Sequence, residues 1–141
     1  MKKIRILSLI LAVLSFSLVF NSCEKDNLTL LTEGTWQFEN FTTTSDNSDI
    51  QSIIAFGKAA LTDGTLDFTS DGNYTMDSPI IEAETGEYEL IGNNQINFKA
   101  SGSVAAIPST IEEIKKDKLV YNQTYIYLDV ESYTVTYTWV R

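Results

Sequence analysis

Behind residue 34, apolar and polar residues alternate with period two along most of the chain, the pattern of strands that bury one face. Gly34 to Thr44 predicts the first strand. Trp36 and Phe38 alternate with Gln37 and Glu39, and Phe41 breaks the phase, which places a bulge near Asn40. Residues 48 to 61 change period: Ile50, Ile53, Ile54, Gly57 and Leu61 fall along one helical face. Ser48 followed by Gln51 fits a capping box at its start, and Gly64 a stop after it. This is the one helix the pattern predicts.

Strand alternation then resumes. Leu66 and Phe68, Tyr74 and Met76, Tyr88 and Leu90, and Ile96 and Phe98 each alternate with polar neighbours. Turn formers separate them around Asp71-Gly72-Asn73 and Gly92-Asn93-Asn94, and Pro79 ends one run. Residues 101 to 109 are small and loop-like, closing with Pro108. Ile111 and Ile114 are three apart, which suits a helical turn better than a strand. After a polar turn at Lys115-Lys116-Asp117, the strand from Leu119 to Leu128 puts Leu119, Tyr121, Tyr125 and Tyr127 on one face. The last strand alternates most cleanly, Tyr133, Val135, Tyr137 and Trp139 against Thr134, Thr136 and Thr138. The predicted fold is mostly β, with about eight antiparallel strands in up-and-down order and the helix between the first and second. Such a meander closes into a barrel or folds into a sandwich; closure is favoured because it removes exposed strand edges.

The first 22 residues read as a targeting segment rather than part of the fold. Lys2, Lys3 and Arg5 precede an apolar stretch from Ile6 to Phe20 that is short for a membrane span, which needs roughly 20 residues. Cys23 follows directly after Asn21 and Ser22 and is the one cysteine in the chain, so no disulfide staples the fold. Its position resembles the lipobox of bacterial lipoproteins, in which the thiol is diacylated and the peptide is cut just before it. Phe20 departs from the usual leucine, whereas Ser22 fits. Residues 23 to 32 read as a lipidated tether without periodicity, and 33 to 141 as the barrel domain. The early acidic residues resemble a surface-export tag; an ordinary solvated linker is the alternative.

Charge and composition narrow the chemistry. All 19 acidic residues follow position 22, against 7 of the 10 basic ones. Such a surface repels phosphate backbones, which argues against nucleic-acid binding. The absence of histidine removes histidine-based nucleophilic and acid–base catalysis and ordinary catalytic zinc sites. No phosphate-binding or nucleophile-elbow motif is present, so no cofactor is expected. Glu87 and Glu89 share a strand face, as do Glu82 and Glu84 if extended. Alternation turns Glu87 and Glu89 outward, however, so a carboxylate hydrolase is a distant reading and the chain is taken as a non-enzyme. Asp71-Gly72-Asn73 lacks the rest of a calcium loop and reads as a turn, so no metal site is expected.

Taken in order, these features resemble the lipocalin-like lipoproteins of Bacteroidetes-type bacteria. Leu31, Gly34 and Trp36 match an opening in which leucine precedes G-x-W; residues 66 to 74, LDFTSDGNY, match a strand, a D-G turn and an aromatic. Gly86-Glu87-Tyr88 and Asp117-Lys118-Leu119-Val120 match later stations, and the likeness spans roughly residues 31 to 141. It implies an outer-membrane lipoprotein on the periplasmic or surface-exposed side, and a floor closed by Trp36 beneath Arg141. Lipocalins proper carry their helix after the eighth strand. Here it lies between the first two strands, where it could cap a mouth or plug the barrel.

Two functions stay open. In the first, a cup holds a small apolar or amphipathic ligand against Phe68, Tyr74, Tyr88, Phe98, Tyr133 and Tyr137, with the helix as lid. In the second, the same side chains fill the lumen and a protein or glycan partner binds outside, on the threonines of the last strand or the acidic strand at Glu87 and Glu89. A continuous cavity of ~300 Å³ or more would mark the cup.

Overall fold

A computed structural model describes residues 26–141, so the predicted targeting segment and Cys23 lie outside the described residues. Two helices, α1 (Asn27–Thr32) and α2 (Ser48–Leu61), accompany eight strands. These are β1 (Trp36–Thr43), β2 (Thr65–Phe68), β3 (Asn73–Asp77), β4 (Glu84–Ile91), β5 (Gln95–Ala100), β6 (Ile107–Ile114), β7 (Lys118–Tyr127) and β8 (Glu131–Val140). Each strand pairs antiparallel with the next, and β8 returns to β1, closing an up-and-down barrel. The longest seam joins β7 to β8, from Lys118 opposite Val140 to Tyr127 opposite Glu131. Closure gives every strand a neighbour on both sides, although β1 meets β2 only where Trp36 pairs with Leu66 and Gln37 with Thr65.

The expected bulge in β1 is present: the register against β8 shifts between Phe38 and Asn40, so Phe38 and Phe41 both turn inward. A second bulge corrects the reading of residues 110 to 114. They form strand, not a helical turn, and the register against β7 shifts between Ile111 and Glu113. One extra residue returns Ile114 to the face of Ile111, which mimics helical spacing inside a strand. The loop expected up to residue 109 is also shorter. Pro108 lies within β6, opposite Asn97 of β5, at a point where pairing with β7 has not begun; that pairing starts at Ser109. A proline is tolerated there because no ladder donor is needed on that side.

Helix α2 spans the predicted residues, but its caps differ. Asn47, not Ser48, is the N-cap: its backbone is extended and its side chain accepts from the Asp49 and Ile50 amides. Gln51 donates instead to the Ser45 carbonyl at 2.6 Å. At the other end the left-handed residue is Asp63 (φ 62), and Gly64 is needed for space, since a Cβ there would lie 2.7 Å from the Leu61 carbonyl oxygen. Ile50, Ile54 and Leu61 are buried against Phe41 and Val135, whereas Ile53 is 49% exposed and Ala60 is buried in its place.

The end of the polar stretch read as a tether is ordered. Six residues are too few for an isolated helix. Asp26 caps α1, accepting from the Thr29 amide, and Leu31 is fully buried in the main core. Burying that leucine contributes ~1.5–3 kcal/mol and holds the turn against the barrel floor. Packing of the domain thus reaches back ahead of residue 33. Asn27 adds a 2.6 Å bond to the Asn93 carbonyl in the β4–β5 turn.

The barrel therefore has two different ends. Helix α1, Trp36, Trp139 and Leu119 close the floor, with all four of Leu31, Trp36, Trp139 and Leu119 at most 1% exposed. Helix α2 covers part of the opposite end, beside the loops at 78–83 and 101–106 and the β7–β8 turn.

Candidate functional site

Inward-facing side chains pack the floor half of the lumen solidly. Phe68 meets Tyr88 edge-on with ring centres 4.9 Å apart, and Phe98 lies 6.0 Å from Phe68. Tyr88 directs its hydroxyl to the Thr69 carbonyl at 2.8 Å, so a phenol buried in this wall is satisfied within the protein. Its ionisation is pushed up, first by burial and then by the Asp71 charge.

Nearer the open end the packing loosens. A cavity of about 200 Å³ lies among β2 to β8, walled by Tyr74, Phe98, Tyr121, Tyr125 and Tyr137 with Leu66 and Met76. Ala105 and Ile107 border it from the 101–106 loop and the start of β6, and Glu84 from the start of β4. The rings form one chain of contacts. Tyr74 meets Phe98 edge-on at 5.2 Å, Phe98 meets Tyr121 at 5.2 Å, and Tyr121 stacks on Tyr137 at 5.0 Å.

Gly86 makes room for the first ring of that chain. It pairs with Tyr74 across β3 and β4, and a Cβ at 86 would come 2.7 Å from the Tyr74 ring and 2.3 Å from the Lys99 carbonyl oxygen. The Tyr74 hydroxyl donates to Glu84 at 2.6 Å. Burial, then the Glu84 hydrogen bond and charge, hold the Tyr74 phenol well above its ordinary range.

Polar side chains form a second network. Tyr125 donates to the Gln123 side-chain carbonyl, and the Tyr125 and Tyr137 hydroxyls lie 2.9 Å apart. The Gln123 amide donates to Ser109 at 3.0 Å, and both residues are buried. Burial is the main reason the Tyr121, Tyr125 and Tyr137 phenols resist ionisation.

Residues 32–121 match the family model described as a lipocalin-like domain. The chain belongs to the lipocalin-like domain family. The match begins in α1 and ends within β7, so β8, the strand that closes the barrel, follows it. Among curated proteins nothing matches the chain. The lipocalin-like family is typically a non-enzymatic binding fold.

Within this lipocalin-like barrel, three of the six aromatics named from sequence line the cavity: Tyr74, Phe98 and Tyr137. Phe68 and Tyr88 belong to the packed wall. Tyr133 packs beside α2 and stacks on Tyr125 at 5.7 Å. Trp36 and Arg141 meet at the floor, the guanidinium carbon 3.6 Å from the ring centre. Glu87 and Glu89 point outward and are exposed. Asp71 sits in a hairpin turn where Thr69 and Asn73 side chains hold its carboxyl below the usual range. Among the described residues no three histidine, cysteine, aspartate or glutamate side chains are grouped to hold a metal.

The six ligand residues chosen from sequence left out Glu84, Gln123, Tyr121 and Tyr125, the last two although they already shared an apolar strand face. The signal for two of them was alternation itself. Glu84, Gly86, Tyr88 and Leu90 share a parity, as do Tyr121, Gln123 and Tyr125, so a carboxylate and an amide fall on the inward face.

Larger depressions of about 440 Å³ lie on the outer wall along β3 to β5, but exposed Asn73, Glu87 and Lys99 line them and they are open grooves. Exposed apolar side chains collect at the open end instead. Phe56 of α2, Ile80, Val104, Leu128 and Val130 are each at least 66% exposed and lie on α2 or the loops beside it.

Proposed function

We propose that this chain is a cell-envelope lipoprotein whose barrel binds, without catalysis, a small ligand with an apolar body in the open half of its lumen. The observation that carries this reading is the cavity walled by five aromatic side chains and bordered by Glu84 and the 101–106 loop. Its volume, about 200 Å³, is less than the ~300 Å³ of a roomy ligand pocket. It still exceeds the ~150 Å³ known to admit a benzene-sized guest. The ligand is therefore of single-ring size, smaller than a fatty acid. Helix α2 covers only part of the mouth and acts as a partial lid. The apolar collar around it gives such a ligand a place to land.

The anchor is proposed from the sequence: the basic start, the apolar run and Cys23, with acylation at that thiol and an outer-membrane location, periplasmic or surface-exposed. Cys23 precedes Asp26 by three residues, a reach of at most ~11 Å. Asp26 caps α1 on the floor of the barrel. An anchor at Cys23 thus sets the floor toward the membrane and the mouth away from it.

The test is native mass spectrometry of the chain carrying Cys23→Ser, purified gently from a bacterial envelope, with Tyr125→Arg as the blocked variant. The expected result is a reproducible added mass of single-ring size that Tyr125→Arg abolishes while the far-ultraviolet circular dichroism is unchanged. A bare mass that persists after incubation with envelope extracts would overturn the ligand cup. It would favour a second reading, a partner protein seated on the apolar collar. Metabolic labelling with an alkynyl fatty acid checks the anchor separately: label must appear on the native chain and vanish with Cys23→Ser.

A further inference from the structure

The cavity's polar groups are asymmetric in a way that selects ligands. Glu84 is the one charged residue in its lining, and neither lysine nor arginine borders it. Among the described residues no ion pair neutralises the Glu84 carboxylate; its hydrogen-bond donor is the Tyr74 hydroxyl.

Several of the nearest protons are already committed. Tyr74 gives its proton to Glu84, and Tyr125 gives its own to Gln123. The contact between Tyr125 and Tyr137 then needs the Tyr137 proton, because Tyr125 has no second one. The Gln123 amide is turned to Ser109. Around Glu84 and the Tyr74, Tyr125 and Tyr137 hydroxyls the cavity is thus faced mainly by lone pairs and π faces, which are acceptors, while Ser103, Tyr121 and the second Gln123 amide proton remain as neutral donors. The negative charge is felt beyond its own hydrogen bond, since Glu84 also helps raise the phenols of Tyr121 and Tyr125.

Resting on the binding reading above, we infer that the cavity takes a small organic cation, an ammonium group on an apolar or aromatic body of single-ring size. The ammonium pairs with the exposed Glu84 at the mouth and lies against the tyrosine faces, where a cation gains from the ring quadrupoles. The body fills the cavity against the wall formed by Phe98, Tyr121 and Tyr137. A carboxylate ligand of the same size meets a like charge and no basic partner, so fatty acids and other organic anions are rejected on charge as well as on length. The excess of acidic residues behind position 22 draws cations toward the same mouth.

Isothermal titration of the Cys23→Ser chain with three probes that share a phenethyl body tests this: 2-phenylethylamine, 2-phenylethanol and 3-phenylpropanoate. The amine is expected to bind at least tenfold more tightly than the alcohol, and the propanoate not at all. Glu84→Gln, which keeps the shape and the Tyr74 contact, should bring the amine down to the level of the alcohol. Glu82→Gln, which removes an equal charge from a residue outside the lining, should leave the preference intact. Alcohol or propanoate binding as tightly as the amine overturns the ligand class and leaves the cup standing, as does an amine preference that survives Glu84→Gln. No binding by any probe overturns the ligand class, and together with a bare native mass it overturns the cup as well.

Discussion

The Arg141 guanidinium lies over the Trp36 ring, its carbon 3.6 Å from the ring centre, and both side chains donate to one acceptor, the Leu31 carbonyl, at 3.1 and 3.0 Å. Arg141 also reaches the Leu30 carbonyl at 2.5 Å and the Lys116 carbonyl at 3.1 Å. The residue following β8 thereby ties together α1, the start of β1 and the β6–β7 turn. The carbonyls at the end of α1 lack helical partners of their own, and a planar fork of donors is suited to collect them.

Replacing Arg141 with alanine should therefore destabilise the domain by ~1–2 kcal/mol, the scale of one cation–π contact with its hydrogen bonds. Arg141→Lys should recover less than half, since an ammonium cannot serve three carbonyls in one plane. Urea unfolding followed by tryptophan fluorescence reads both. A shift below ~0.5 kcal/mol for the alanine variant would mean that water replaces the fork without loss.

At the opposite end, Gly57 of α2 faces Phe41, and a Cβ at 57 would come 2.6 Å from the ring. Glycine costs a helix ~1 kcal/mol relative to alanine, so Gly57→Ala ought to stabilise an isolated α2. In this protein it should destabilise by ~1 kcal/mol net, because Phe41 is buried and overpacking costs ~1–3 kcal/mol. Combining it with Phe41→Leu should restore most of the loss. A double-mutant cycle showing additivity would contradict the contact.

The start of α2 gives a sharper comparison between neighbours. Asn47→Ala should cost ~1 kcal/mol, because the Asp49 and Ile50 amides lose their acceptor. Asn47 also donates to Glu131 at 3.0 Å, which links the helix to the β7–β8 turn and adds to the loss. Ser48→Ala should fall within ~0.5 kcal/mol of the parent, as for an ordinary surface site. Equal losses at the two positions, measured by thermal unfolding, would return the cap to Ser48.

The lumen should make the protein sensitive to alkali. Burial raises the ionisation of Tyr121, Tyr125 and Tyr137 above the ordinary value of 10.0. The unfolded chain releases these protons near that value while the folded chain keeps them. Stability is then complete below it and falls as pH rises further, by ~1.4 kcal/mol per unit for each such tyrosine. Phenolate absorbance followed beside far-ultraviolet circular dichroism should show these tyrosines ionising together with unfolding. Their titration near the ordinary value in a folded barrel would show a wet lumen instead.

Much of the barrel was legible in the chain because strand alternation is a local property. Trp36-Gln37-Phe38, Tyr133 to Trp139 and the bulge signalled by Phe41 each follow from neighbours a few residues apart. Where local spacing misled, at Ile111 and Ile114, the cause was a bulge whose partner is β7, and no residue within β6 announces it. Helix α1 was hidden for a related reason: one buried leucine and a floor built from distant strands hold it.

The sequence by itself determined seven of the eight strands, β6 excepted, with the inward face of each, and the position of α2 between the first two strands. Only the tertiary structure decided how deep each inward residue sits. Alternation assigns a face but not a height along the barrel axis; that height comes from how eight strands are staggered as they close. So Phe68 and Tyr88 became packed wall, Tyr74 and Tyr137 became cavity, and Glu84 came to share that cavity with Tyr121 and Tyr125 of β7, a strand far from it in the chain.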